Sequence, residues 1–222
     1  MKFLLLLSFV LVLVGANEFK RYDVASGIIK YKTMMKMGSA GMEIITKGTR
    51  VIKFKDYGIK ELRDETTTTT QKIFGKTTKE TNHQLSLMDN GKTYGVDFKA
   101  KAIYEMDNIA GNIAGAMGNN MKNIGFEMMK KMGAKKIGTD EVLGYKCDVW
   151  DLKGIKQCIY KGVTLKLTTN MGGAKVEDVA IEAKFDIDIP DSEFKLPNYP
   201  KKDIGKMMEQ MQQMMNGGMM GQ

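Results

Sequence analysis

The two cysteines of the chain, Cys147 and Cys158, flank a turn-forming Asp151-Leu-Lys-Gly154, and no other feature constrains the fold as tightly. A hairpin pivoting on residues 151–154 would set the two cysteines opposite each other, within the roughly 7 Å between Cα atoms that a disulfide tolerates. Closing so short a loop contributes somewhat under about 3 kcal/mol, so the bond would pin strand register more than it creates the fold. A two-cysteine metal or redox site would need a Cys-x-x-Cys spacing or a nearby histidine, and the segment has neither.

The N-terminus points to an oxidising compartment independently. Met1-Lys2 is a short basic start, Phe3 to Val14 is apolar apart from Ser8, and Val14-Gly15-Ala16 supplies small residues before Asn17. This is the organisation of a secretory signal peptide spanning residues 1–16. The apolar run is shorter than the roughly 20 residues that span a bilayer, so the chain is expected to be soluble and periplasmic after cleavage. The remaining length suits one domain, 17–200, followed by a tail, 201–222. The 34 Lys and Arg against 26 Asp and Glu leave a formal charge of +8. Such an excess attracts anionic lipid head groups, whereas export argues against nucleic acid. Many lysines alternate along strands, as on a solvated sheet face.

From Gly27 to Met106 the pattern has period two. Ile29, Tyr31, Thr33, Met35 and Met37 alternate with Lys30, Lys32, Met34 and Lys36, and Ile52 and Phe54 alternate with Lys53 and Lys55. Half-buried antiparallel strands follow, separated by turns at Gly38-Ser-Ala-Gly41, Asp56-Tyr-Gly58 and Asp89-Asn-Gly-Lys92. The run Thr66 to Thr70 is β-prone but polar on both faces, and is expected at an exposed or edge position.

After Asp107 the period changes. Ile109, Ile113, Met117, Met121, Ile124, Met128 and Met132 recur every three or four residues, which predicts a helix over 108–132 lying on the sheet. Gly111, Gly115 and Gly118 weaken its first half. Strand patterns then resume, ending in a long one along which Val179, Ile181, Ala183, Phe185, Ile187 and Ile189 alternate. The expected class is mainly β (α+β): a strongly curved antiparallel sheet or unclosed barrel of about nine to eleven strands, with a covering helix. After Pro200, seven methionines fall within fourteen residues, and 203–215 has the pattern of a short C-terminal amphipathic helix.

The segment Gly138-Thr-Asp-Glu-Val-Leu-Gly-Tyr-Lys-Cys147, the strand Lys161-Gly-Val-Thr-Leu-Lys166 and the closing Ile189-Pro-Asp-Ser-Glu-Phe-Lys-Leu-Pro197 resemble an exported family of the DUF4412 type. That family is related in architecture to the LolA/LolB lipoprotein-carrier superfamily. The resemblance is most specific over residues 137–197, rests on strand pattern over 20–106, and does not reach the methionine tail. It implies an unclosed antiparallel barrel with helices covering an apolar cavity that can receive acyl chains.

Catalytic constellations are hard to assemble. His83 is the sole histidine and lies in a polar stretch without a nucleophile or acid at a recognisable spacing. Asp186 and Asp188 share a strand face with Lys184, an arrangement that usually contacts solvent. No phosphate-cradling loop or zinc spacing is present, so a non-catalytic protein without a cofactor is expected. The leading expectation is a binding module whose concave face, with Ile29, Tyr31, Ile52, Phe54 and Val96, takes a lipid or lipoprotein acyl chain beneath Ile113, Met117 and Met121 of the helix. Two alternatives draw on the tail. Met207, Met211, Met214 and Met215 are soft thioether ligands suited to Cu(I). Alternatively, the C-terminal helix of a structural envelope protein could dock a membrane surface or a protein partner.

Overall fold

Period-two patterning and glycine turns build a sheet larger than the sequence count suggests. The computed structural model describes residues 20–107 and 129–205, and twelve strands lie within them. A first meander runs through β1 (Gly27–Ser39), β2 (Met42–Lys55), β3 (Lys60–Ile73), β4 (Lys76–Asp89), β5 (Lys92–Asp97) and β6 (Ala102–Asp107). A second runs through β7 (Lys135–Val142), β8 (Tyr145–Leu152), β9 (Ile155–Tyr160), β10 (Val163–Met171) and β11 (Ala174–Phe185). The antiparallel pairing of β1 with β11 joins them into one sheet of order β12-β6-β5-β4-β3-β2-β1-β11-β10-β9-β8-β7.

The twelfth strand, β12 (Lys201–Asp203), falls where the methionine tail was expected to begin, and it pairs parallel to β6. Both sheet edges resist pairing with another chain. The strand β12 is three charged residues long, and the fully exposed part of β7 is charged at both ends and broken by a bulge at Ile137.

Three expectations about strand position change. The threonine run is not at an edge: β3 pairs on both sides, with Thr67 between Gly48 and Asn82. Thr69 and Thr68 hydrogen-bond the hydroxyls of Thr46 and Thr81, so the polar faces satisfy one another across strands. The last long strand stops at Phe185, because Asp186 takes a left-handed φ of 53°. The Asp186 carboxylate then accepts the amide of Ala25, and Asp186, Asp188 and Lys184 do not share a strand face as predicted. Within β11, Ile181 is an extra residue: Lys30 faces Glu182 and Tyr31 faces Ala180, so the bulge turns Ala180 into the core and leaves Ile181 exposed.

The cysteine hairpin forms with a register different from the expected one. The turn falls on Lys153-Gly154, both at positive φ, so Leu152 faces Ile155 and Val149, not Cys147, faces Cys158. Cys147 and Cys158 are diagonal neighbours, bonded with Cα atoms 5.3 Å apart and buried in the main core.

That core gathers Tyr22 and Val24, from the segment before β1, with Ile29, Phe54, Val163, Leu165 and the disulfide, which come from five different strands. Strong curvature brings them together, and the Tyr31 hydroxyl reaches over β11 to the Thr164 carbonyl of β10 at 3.0 Å. A second core lies on the opposite face. After Asp186 the chain crosses that face as a strap, and Ile189 and Phe194 pack on Leu62 and Leu87. Lys55 and Lys60 both reach the Asp191 carboxylate at 2.9 Å and fasten the strap. The strap thereby covers the Leu62 and Leu87 region of one face, while the other face carries the main core.

The predicted helix 108–132 lies outside the described residues except for its last turn, where Met129–Lys131 are helical and the Met129 carbonyl accepts the Ala134 amide at 3.1 Å. The predicted C-terminal helix lies outside them beyond Gly205.

Candidate functional site

Ladder pairing places Ile29, Ile52, Arg63, Ser86 and Gly95 in one cross-strand row. Tyr31 faces Arg50 two residues along, on the same side of the sheet. Curvature brings this side towards Leu152, Gln157, Ile159, Val163 and Thr164 of the second meander. The two sets enclose a cavity of about 420 Å³. In a flat sheet Arg63 and Leu152 would stand six strand spacings apart, roughly 29 Å. Their presence on one cavity shows how far the sheet is bent.

Of the residues predicted to line a ligand site, Ile29, Tyr31 and Ile52 line this cavity. Phe54 does not. It is fully buried behind the wall, its ring 4.5 Å from that of Tyr22 and 6.5 Å from that of Phe185. Val96 is one residue out of step with the Ile29 row, facing Leu85, and it borders a second cavity of about 380 Å³ with Ser86, Tyr104, Met106 and Ile204. Arg63 touches both cavities. Ile113, Met117 and Met121 lie outside the described residues, as do Met207, Met211, Met214 and Met215. Met129 and Met132, from the far end of the same predicted helix, do line the first cavity, and the Met129 sulfur accepts the Gln157 side-chain amide at 3.4 Å.

The wall is less apolar than expected. Arg21, Arg50 and Arg63 all line it, and they are the only arginines in a chain with thirty-one lysines. The signal was present in the sequence, because Arg50 continues the alternation of Phe54 and Ile52 along β2. Two carboxylates hold the guanidinium groups without lining the cavity themselves. Glu61, buried, accepts the Tyr22 hydroxyl at 2.6 Å and pairs with Arg21 at 3.2 Å and Arg63 at 3.5 Å. Asp178 pairs with Arg50 and also accepts the Thr33 hydroxyl. The Arg50 guanidinium lies 4.5 Å from the Tyr31 ring centroid, and its buried Nε has no hydrogen-bond partner among the described residues.

Burial pushes both tyrosine hydroxyls up. For Tyr22 the Glu61 charge adds to the effect, and for Tyr31 the nearby Arg50 opposes it. Both phenols therefore stay neutral donors across the ordinary pH range. Burial works to lower the Arg21 pKa, but Tyr22 and Glu61 outweigh it and the guanidinium stays charged. His83 does not line this cavity; it is stacked on Phe98 at 4.3 Å and hydrogen-bonded to Asp64. Among the described residues, no three His, Cys, Asp or Glu side chains converge as a metal site, and no helix is long and apolar enough to cross a membrane.

The sequence matches no protein-family model and no curated protein. Solved structures align with the fold at low identity. MucB aligns with a TM-score of 0.43 at 11% identity over 81% of this chain, but over only 60% of its own. LprF from Mycobacterium bovis aligns at 0.29 and 9% identity over 78% of this chain and 90% of its own. A putative outer membrane lipoprotein-sorting protein domain from Vibrio parahaemolyticus aligns at 0.28 and 9% identity, over 77% of this chain and 89% of its own.

Proposed function

We propose that this chain is a non-catalytic binding protein of the cell envelope that holds an acyl chain, from a lipid or a lipoprotein, in the hollow of its curved sheet. The observation that carries this reading is the cavity itself. Its volume of about 420 Å³ lies in the roughly 300–1,000 Å³ range of small-molecule sites. Ile29, Ile52, Ile159 and Val163 give it apolar walls, and Arg63 also borders a second cavity.

The strap of residues 186–200 supports the reading by packing a second core on the opposite face, which leaves the hollow side, where Ile29, Ile52 and Val163 of the main core line the cavity, as the side open to a ligand. A buried disulfide between Cys147 and Cys158 suits an oxidising compartment such as the periplasm. The signal-like N-terminus and the resemblance of residues 137–197 to the DUF4412 type support the same location, outside the cytoplasm. Native mass spectrometry and lipid extraction of protein purified from its own envelope test the proposal. A co-purifying lipid lost on solvent extraction is the expected result. Protein that leaves the envelope without lipid and takes up none from mixed micelles would reject it.

A further inference from the structure

We infer that the cavity selects an acyl ligand carrying an anionic head, a carboxylate or a phosphate, which docks on the cluster of Arg21, Arg50 and Arg63. The inference deepens the acyl-binding reading and rests on it.

The distribution of cations carries the argument. A wall built only for a hydrocarbon chain has no use for guanidinium groups, which cost free energy to bring out of water. Yet every arginine of the chain lines this cavity, whereas none of the lysines among the described residues does. Arginine and lysine differ in ways that matter here. The planar guanidinium grips carboxylate or phosphate oxygens through two parallel donors, sheds water more readily than an ammonium, and keeps its charge when buried.

Internal ion pairing accounts for part of this placement but not all of it. Arg21 and Arg63 share the single carboxylate of Glu61, so that group of three carries one uncompensated positive charge. Glu65, directly across from Arg50 on β3, adds an acid to the neighbourhood but not to the lining, which contains no carboxylate among the described residues. Arg50 spends one terminal nitrogen on Asp178 and rests on the Tyr31 ring, which fixes the plane of its fork. Gln157 and Thr164, hydrogen-bonded to each other at 3.2 Å, supply neutral polar groups on the facing wall. The apolar residues Ile29, Ile52, Ile159 and Val163 accept the chain behind such a head.

The test is displacement of the neutral probe N-phenylnaphthylamine from delipidated mature protein by hexadecanoate, hexadecyl phosphate and hexadecanol. The proposal expects at least one anionic ligand to bind about tenfold or more tighter than the alcohol, as charge-assisted hydrogen bonds provide. Comparing hexadecanoate with hexadecyl phosphate identifies which anion the site prefers. In Arg63→Gln and Arg21→Gln, both rim residues, the anion-to-alcohol ratio should fall below about threefold. Alcohol binding by the same variant shows that its cavity is intact. Equal binding of alcohol and both anions by the wild type would overturn the head site and leave the acyl reading standing. A ratio that survives in both variants would also overturn it. Failure of all three ligands to displace the probe would reject the acyl reading, and the head site with it.

Discussion

The hydroxyl of Tyr31 on β1 donates to the main-chain carbonyl of Thr164 on β10, across the whole width of β11, between residues 133 positions apart. The bond can form only if the sheet bends sharply enough to bring alternate strands within reach, so it reports the curvature that makes the cavity. Tyr31→Phe removes the donor and leaves a part-buried carbonyl unpaired, an expected loss of about 1–2 kcal/mol. Urea unfolding should show a lower midpoint with an unchanged slope. A midpoint within error of wild type would mean that the bond does not brace the sheet.

Gly27 tests the packing behind the cavity wall. A Cβ at this position would stand 2.7 Å from the fully buried Phe54 ring and 2.8 Å from the partly buried Phe185 ring. Gly27→Ala should cost about 1–3 kcal/mol through overpacking. Gly95→Ala, where a Cβ meets nothing within 4 Å, should stay within about 0.5 kcal/mol of wild type. Equal unfolding free energies for the two variants would contradict the tight aromatic packing.

The disulfide can be tested by counting thiols and by removing it. Exported protein should show no free thiol in denaturant, and Cys147→Ala combined with Cys158→Ala should lose about 2–3 kcal/mol. Amide exchange should rise first in β7 to β9, where the bond sits beside the charged edge of the sheet. Two reactive thiols in native exported protein would remove the bond from the account.

The strap gives the molecule an acid-sensitive fastening. Hydrogen bonds from Lys55 and Lys60 hold the Asp191 carboxyl below its ordinary value of 3.8, and a bond from Lys53 does the same for Glu193. A depressed folded pKa means that the stabilisation is complete above the unfolded value and is lost as pH falls through the folded one. The melting temperature of Asp191→Asn should therefore trail wild type at neutral pH, with the gap closing below pH 3.8. A gap that persists undiminished in strong acid would show that the ion pairs do not fasten the strap. Lys60, raised by Asp191 and Asp89, sets the opposite limb, lost only as pH climbs past its ordinary 10.5.

Much of this architecture is visible in the sequence wherever the signal is local. Alternation marks β1 and β2 and correctly puts Ile29, Tyr31 and Ile52 on one face, and Asn90-Gly91 marks its turn by the positive φ both residues adopt. What escapes is whatever shifts parity or spans the chain. The extra residue Ile181 inverts the burial expected along β11, and the left-handed Asp186 takes Ile187 and Ile189 to the other face. The pairing of Arg50 with Asp178 joins residues 128 apart and leaves no periodic trace. The short strand β12 depends on a parallel partner that its three charged residues do not announce.

The seam between β1 and β11 has a consequence for how the chain assembles. Each meander is built from neighbours in sequence and can form by local zipping, whereas the seam joins residues about 150 apart, as in the 152-residue span between Lys30 and Glu182. Contacts at that separation carry a large loop-closure entropy and belong to the slow phase of folding. Until the seam closes, β1 and β11 are both bare edges. The half-assembled chain is then open to pairing with another copy, a hazard that the finished sheet, bounded by its charged outer strands, does not share.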